Sequence, residues 1–319
     1  MQTEKYLKNV RSQYENYPYP PRAPEDEKHR LIEIAMDRLA LINFYCFKGE
    51  DTFENARILV AGGGTGDSTI YLAEQLRHTQ SEVVYLDISQ ASMLIAKQRA
   101  EQRNLTNITW VHGSILALAE YGIGSFDYIS CTGVLHHLEN PLAGLLALKS
   151  VLKPSGAMGL MLYGEYGRAG VYQMQKLMKI INKNEPQLNN KINNTRKTLA
   201  QLPKSNWFCH NQELINDHKA LGDSGLVDLL LHEQDRAYSI EDIYSLLNDS
   251  NLHFVAFSDV KMRLSYRPEQ YISDPELLSK IKQLSEQEQH HIAELLVGAF
   301  KKHEFYVSAK QNNPTVWFL

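Results

Sequence analysis

His136 and His137 follow one another at the exit of an apolar run, Phe126 to Cys131, that reads as a buried strand. Imidazole titrates near neutrality, so either ring suits accepting a proton from a bound reactant. Tyr163 ends a second apolar run that starts at Ala157, with Glu165 and Tyr166 just beyond it. Asp87 ends a third, Glu82 to Asp87, and a carboxylate there can accept two hydrogen bonds from a pair of ribose hydroxyls. The glycine cluster Gly62-Gly63-Gly64-Thr65-Gly66 is entered directly from Ile58-Leu59-Val60-Ala61. Glycines there let a ligand approach the backbone, and the amides of the helix that follows favour a polar or anionic group. The chemistry implied is a ribose-bearing ligand held by backbone and one acid, beside groups able to handle a proton.

The elements that must position these residues alternate. Strand patterns at 58–61, 82–87, 108–112, 126–131 and 157–163 are each followed or preceded by helical patterns. Ile70, Ala73 and Leu76 share a helical face after the glycine turn; Ser89 can cap the next helix; Pro141 suits the first turn of another. Such alternation implies a parallel sheet covered on both faces, with ligands beyond the carboxyl ends of its strands. The turns Gly62–Gly66, Asp87–Ile88, Gly113–Ile115 and Thr132–His137 all follow strand ends and converge on that edge.

The N-terminal residues hold Tyr14 and Tyr17-Pro18-Tyr19-Pro20-Pro21-Arg22, whose prolines favour an extended arm over a helix. The arm reads either as a strap packed on the core or as a flap bringing Tyr17, Tyr19 or Arg22 to the ligand. Asp26 to Cys46 reads as one helix, with Leu31, Ala35, Leu39, Ile42 and Cys46 on a stripe. Beyond Tyr163, residues 240–247 read as a helix and 252–260 and 303–309 as strands. Met174 and Met178 mark a helix face that reads as core, and Ser285 with Glu288 reads as a capping box. His232, Asp235, Arg236 and Tyr238 read as a capping and salt-bridge knot at a helix entry, or as a substrate-facing gate.

The glycine spacing separates two ligands. A dinucleotide fingerprint, Gly-x-Gly-x-x-Gly, fails in both registers: from Gly62 its last position falls on Asp67, and from Gly63 its second falls on Thr65. NAD is therefore disfavoured. Gly62-x-Gly64-x-Gly66 after a strand, Asp87-x-Ser89-x-x-x-Met93-Leu94, and Val134-Leu135-His136-His137-Leu138 with Asn140-Pro141 together resemble the class I S-adenosylmethionine-dependent methyltransferases. The resemblance covers residues 55–163 well and 240–310 loosely. It implies an α/β fold: a doubly wound, mostly parallel seven-stranded sheet with helices on both faces, an antiparallel final strand, and a helical cap from two insertions. The implied organisation is an arm and helix over 1–46, a cofactor-binding core over 47–163, an inserted cap over 164–239, and the end of the sheet over 240–319 with a second helical insertion at 263–300.

The resemblance assigns S-adenosyl-L-methionine to Gly62, Gly63, Gly64, Gly66, Asp87, Ile88, Met93, Ser114, Ile115, Thr132 and Gly133, with Tyr19 reaching in from the arm. The fourth-strand loop borders the methyl group in this family, which makes His137 the first candidate for a base, with His136 and Tyr163 beside it. Two positions depart from the family pattern: Val60 and Ser114 stand where many relatives carry an acid.

The net charge of −4 and pI near 6.3 display no global basic surface for nucleic acid or an anionic membrane. Three scattered cysteines, no signal-like start and no apolar run of bilayer length fit a cytoplasmic protein. Metal is not expected, because the adjacent pairs His136-His137 and His290-His291 would diverge on a helix and lack a carboxylate or cysteine at ligand spacing. The acceptor expected is a small molecule; a protein or RNA acceptor is the alternative, and a non-catalytic adenosyl-ligand scaffold is a third.

Overall fold

The computed structural model describes residues 8–210, 215–258 and 265–310. Its sheet consists of β1 (Arg57–Ala61), β2 (Glu82–Asp87), β3 (Ile108–His112), β4 (Phe126–Thr132), β5 (Leu152–Tyr163), β6 (His253–Phe257) and β7 (Lys302–Ser308). The spatial order is β3-β2-β1-β4-β5-β7-β6, and β7 runs antiparallel to both of its neighbours. The seven-stranded, doubly wound fold expected from the sequence is present. Order reverses between β1 and β4, so the crevice beyond their carboxyl ends is the place where such a sheet binds ligands.

The central strands are apolar throughout because both of their faces are covered. Leu59, Val84, Leu86, Ile129 and Cys131 pack into one core, while Ile58, Val60, Val83 and Tyr128 alternate with them into the other. The covering helices are α1 (Lys8–Asn16), α2 (Leu39–Phe47), α3 (Asp67–Gln75), α4 (Gln90–Gln102) and α5 (Pro141–Ser150). Ser89 accepts the N–H of Ser92, and Asn140 accepts that of Ala143 with Pro141 at the first helical position, which fixes where α4 and α5 begin.

Two expectations fail locally. The arm is helical over α1, because 8–16 contains no proline and the breaks begin only at Pro18. Residues 26–46 are not one helix: short 3-10 turns at Pro24–Lys28 and Ala35–Asp37 precede α2. Glu27 is drawn inside to Arg99 and Arg103, and Asp37 to Ser130, so tertiary pairing overrides the helical stripe.

The first insertion contributes α6 (Ala169–Ile181), α7 (Leu188–Leu199), α8 (Trp207–His210), α9 (Asp217–Ala220) and α10 (Gly222–Leu230). Val171, Met174, Met178, Phe208, Leu229 and Leu230 form its own core, so the methionine face is packing. Ile192, Leu226 and Val227 hold Tyr17 of the arm, joining arm and insertion. After α11 (Ile240–Ser250) and β6, the second insertion carries α12 (Pro275–Ile281) and α13 (Glu286–Val297), with the Ser285–Glu288 capping box in place. Helix α13 packs on α11, where its buried Glu294 accepts the N–H of Ile240 at 2.9 Å. The end of the strand expected over 252–260 lies outside the described residues from 259 onward.

Candidate active site

Gly64 has φ +50, a conformation open to glycine, and a Cβ there would lie 2.9 Å from the carbonyl oxygen of Tyr19. Its N–H donates to Asp87 Oδ2 at 2.8 Å, while Asp87 Oδ1 accepts the N–H of Ser89 at 2.7 Å. The Tyr85 hydroxyl donates to the Gly64 carbonyl at 2.8 Å. Turn and strand end are thus held as one unit. Burial pushes the Asp87 carboxyl up, against the two backbone donors that favour its charged form. Each carboxylate oxygen keeps a second lone pair, which suits a ribose diol.

This loop forms one wall of a cavity of about 600 Å³. Gly62, Gly63, Gly64, Asp87, Ile88, Ser114, Ile115, Thr132, Gly133 and Tyr19 all line it, as do His137 and Tyr163. Gly66, Met93 and His136 do not. Gly66 instead allows α3 and α4 to approach, since its Cβ would meet Ala96 at 2.9 Å. On α4 it is Ser92 that turns to the cavity, and Met93 lies about 100° further round the helix. Ser114 spends its hydroxyl on the turn that follows, accepting the N–H of Leu116 at 3.2 Å. Val60, where relatives carry an acid, supplies apolar wall.

The arm closes the cavity. Val10, Tyr14, Tyr19 and Pro20 line it. Glu15 accepts the N–H groups of Gln90 and Ala91 at the start of α4, Thr65 donates its hydroxyl to the Pro20 carbonyl at 2.7 Å, and Arg22 pairs with Asp67 at 2.6 Å. Of the arm residues weighed as a flap, Tyr19 lines the cavity, whereas Tyr17 donates to Asn189 of the insertion. Tyr14 was not singled out in the sequence, although it sits in the same tyrosine-rich stretch.

Beyond the ends of β4 and β5 the cavity wall turns polar. His136 and His137 occupy a 3-10 turn, and their rings stand 4.3 Å apart rather than diverging. Both are buried, and His136 stacks on Tyr163 at 3.9 Å, neither of its nitrogens having a hydrogen-bond partner among the described residues. His137 stacks on His232 at 3.9 Å. Its Nδ1 faces the Gln234 carbonyl at 2.9 Å and must carry the proton, so Nε2 is its basic nitrogen. His232 has the opposite tautomer: Nδ1 accepts the N–H of Gln234 at 3.1 Å, so Nε2–H points to the Tyr14 oxygen at 3.1 Å. Tyr14 in turn donates to Asp228 Oδ1 at 3.2 Å. Burial holds His136, His137 and His232 neutral and pushes Asp228 up to about 7. Arg168 lies over the Tyr163 ring at 3.5 Å and pairs with Asp235, which also accepts from Gln175.

The group His232, Asp235, Arg236 and Tyr238 is thereby divided. His232 and Asp235 back the cavity wall, whereas Arg236 stacks on Tyr238 before α11. Asp228 and Arg168 carried no local signal, since both come from an insertion outside the motif-bearing region. Contrary to the expectation that the histidine pair lacks a nearby carboxylate, His137, Asp228 and His232 place ligating atoms within 4.8 Å of one another, as do His136, His137 and Asp235. Chemistry opposes the first set, because a metal on His232 Nε2 would leave an Nδ1 that already accepts a backbone N–H without the proton a metal-bound imidazole donates. The second set has its carboxylate neutralised by Arg168.

Residues 59–158 match a family model described as a methyltransferase domain. Over 302 residues the chain is 29% identical to an uncharacterized protein of Synechococcus, covering 93% of this chain and 70% of that one. It is 32% identical over 115 residues to the tRNA 5-carboxymethoxyuridine methyltransferase of Escherichia coli, covering 36% of this chain and 42% of the relative. The solved structure of PKMT2 from Rickettsia typhi in complex with AdoHcy shares the fold at a TM-score of 0.68 and 17% identity, over 88% of this chain and 54% of that one. The chain thus spans about half or less of these two named proteins. Among the described residues no helix is long and apolar enough to cross a membrane.

Proposed function

We propose that this chain, which carries a class I S-adenosylmethionine-dependent methyltransferase domain over residues 59–158, methylates a small molecule held beneath the arm and the first insertion. The observation that carries the reading is the cavity itself: one wall has the glycine turn and Asp87, the other has His137 and Tyr163, and the arm roofs both. Gly62–Gly64, Asp87, Ile88 and Ile115 suit the adenosyl ligand, and a Cβ on Gly64 would fall 2.9 Å from the Tyr19 carbonyl of the arm. When bound, S-adenosylmethionine supplies a methyl group already activated by its sulfonium, so the protein mainly has to align an acceptor and exclude water.

His137 and Tyr163 follow β4 and end β5, on the side of the switch point away from Asp87. They orient the acceptor. Neutral His137 offers Nε2 as a hydrogen-bond acceptor, and burial keeps the Tyr163 phenol protonated and able to donate. His136 acts through them, as a stacked support. A roofed cavity of this size favours a small acceptor over a folded polynucleotide.

Calorimetric titration with S-adenosylmethionine, S-adenosylhomocysteine and NAD in parallel tests the reading. Micromolar affinity for both adenosyl ligands and none for NAD is expected. Folded protein that binds neither adenosyl ligand would overturn it.

A further inference from the structure

Asp228 is an acid of the cavity with no ion pair among the described residues. It is 5% exposed and lines the cavity, and Oδ1 is engaged by the Tyr14 hydroxyl; Oδ2 has no hydrogen-bond partner among the described residues. Of the cations that line the cavity, Arg168 favours the Asp228 carboxylate but has its ion pair with Asp235, Lys302 pairs with Glu304, and Lys301 lies beside it. His137 and His232 are neutral, and the phenols of Tyr14, Tyr19 and Tyr163 are held protonated. With Asp228 ionised, the charges of Arg168, Asp235 and Asp228 leave one negative charge uncompensated, and Asp217 on the same wall adds to it. A buried charge of this kind is costly until a cation pairs with it.

Acceptor oxygens on other elements face the cavity beside Asp228. Tyr19 and Tyr163 line the same cavity and interact electrostatically with Asp228 and with each other. A carboxylate oxygen and two phenol oxygens present three acceptors, and a primary ammonium has three donors and no acceptor. A hydroxyl acceptor would leave the charge unpaired, and a carboxylate would add to it.

We infer that the acceptor is a primary amine, bound as its ammonium by Asp228 with the Tyr19 and Tyr163 hydroxyls. This rests on the methyltransferase reading and narrows its substrate class. The ammonium passes one proton to Asp228 Oδ2 and becomes a neutral amine. Its freed lone pair forms the bond to the methyl carbon while the electron pair of the methyl–sulfur bond returns to sulfur. The product is a methylammonium and a neutral thioether, and the proton on Asp228 leaves to solvent. Tyr14, held by His232 Nε2–H, is a positioning residue that fixes the carboxylate.

The test uses the full chain saturated with S-adenosylhomocysteine, whose binding is verified first by calorimetry; no binding there fails the function reading and not this one. Saturation-transfer NMR then compares n-butylamine, n-butanol and butyrate at equal millimolar concentration. Transfer to butylammonium above both others is expected, rising between pH 5 and 8 as Asp228 ionises. Asp228→Asn should lower that affinity by roughly ten- to a hundredfold while leaving S-adenosylhomocysteine affinity unchanged, which reports an intact fold. Tyr14→Phe should shift the pH profile and keep the preference for the amine. No transfer to butylammonium, equal transfer to butanol, or an undiminished signal in Asp228→Asn would overturn the inference.

Discussion

The backbone N–H of Gly64 meets Oδ2 of Asp87 at 2.8 Å, so the glycine turn takes its shape from the end of the neighbouring strand. Asp87 therefore holds the loop, and under the proposed function it holds the ligand as well. Asp87→Ala is expected to weaken S-adenosylhomocysteine binding by about 1.5–3 kcal/mol, the range for a hydrogen bond to a charged group. Asp87→Asn, which retains one carbonyl oxygen, should lose less. Calorimetry on both variants checks the order; equal affinity for all three proteins would remove Asp87 from the site.

Gly64→Val should abolish cofactor binding. Its Cβ would fall 2.9 Å from the Tyr19 carbonyl at a φ of +50, so the side chain both strains the turn and pushes the arm off the cavity. The expected result is loss of adenosyl-ligand heat with a cooperative unfolding transition retained.

The core was legible because it rests on local chemistry: a glycine turn after a strand, acids and histidines at strand ends, and caps such as Ser89 and Asn140. What escaped depends on distant pairing. Glu27 lies in a helical pattern but is buried against Arg99 on α4, and no local rule announces a partner 72 residues away. Asp228 sits in the helix Gly222–Leu230 among buried apolar residues, and only the fold brings it to Tyr14, 214 positions earlier. Met93 was misplaced for a different reason: a motif fixes a helix, yet a one-residue step turns the side chain by about 100°.

Glu27→Gln should be strongly destabilising. The carboxylate and its partner Arg99 are 2% and 1% exposed, and Arg103 shares it. Removing the Glu27 charge leaves the buried Arg99 with Asp67, at 2.7 Å, as its remaining counter-charge, which costs about 3 kcal/mol. Urea unfolding of the two proteins measures the difference; a change under about 1 kcal/mol would mean the network relaxes freely.

His290 should make the fold acid-sensitive. Burial, and secondarily the charge of Arg267, lower its imidazole to about 4, and its Nδ1 lies 3.0 Å from the Tyr244 hydroxyl. A native value below the unfolded one of about 6.5 means that its contribution is complete above pH 6.5 and is lost as pH falls toward 4. His290→Gln should flatten the profile of unfolding free energy against pH across that window by on the order of 3 kcal/mol, read by urea unfolding at half-unit pH steps. An unchanged slope between pH 6.5 and 4 would exclude His290 as the cause.

Asp228 works in the opposite sense. Burial raises its carboxyl to about 7, above the unfolded value of about 3.9, so the neutral acid is the form the fold prefers. Its contribution is complete below pH 3.9 and is lost as pH rises toward 7, where keeping the group ionised opposes folding. Asp228→Asn retains an oxygen for the Tyr14 hydroxyl and carries no charge, so the variant should gain on the parent progressively from pH 4 to 7, by on the order of 3 kcal/mol, and no further above it. Denaturant unfolding at half-unit pH steps gives the curve. Saturating n-butylamine should shrink the gain at pH 8, because an ammonium paired with the carboxylate relieves the cost that the substitution removes. A gain independent of pH would instead mean that the substitution acts through packing and that Asp228 titrates alike in the folded and unfolded protein.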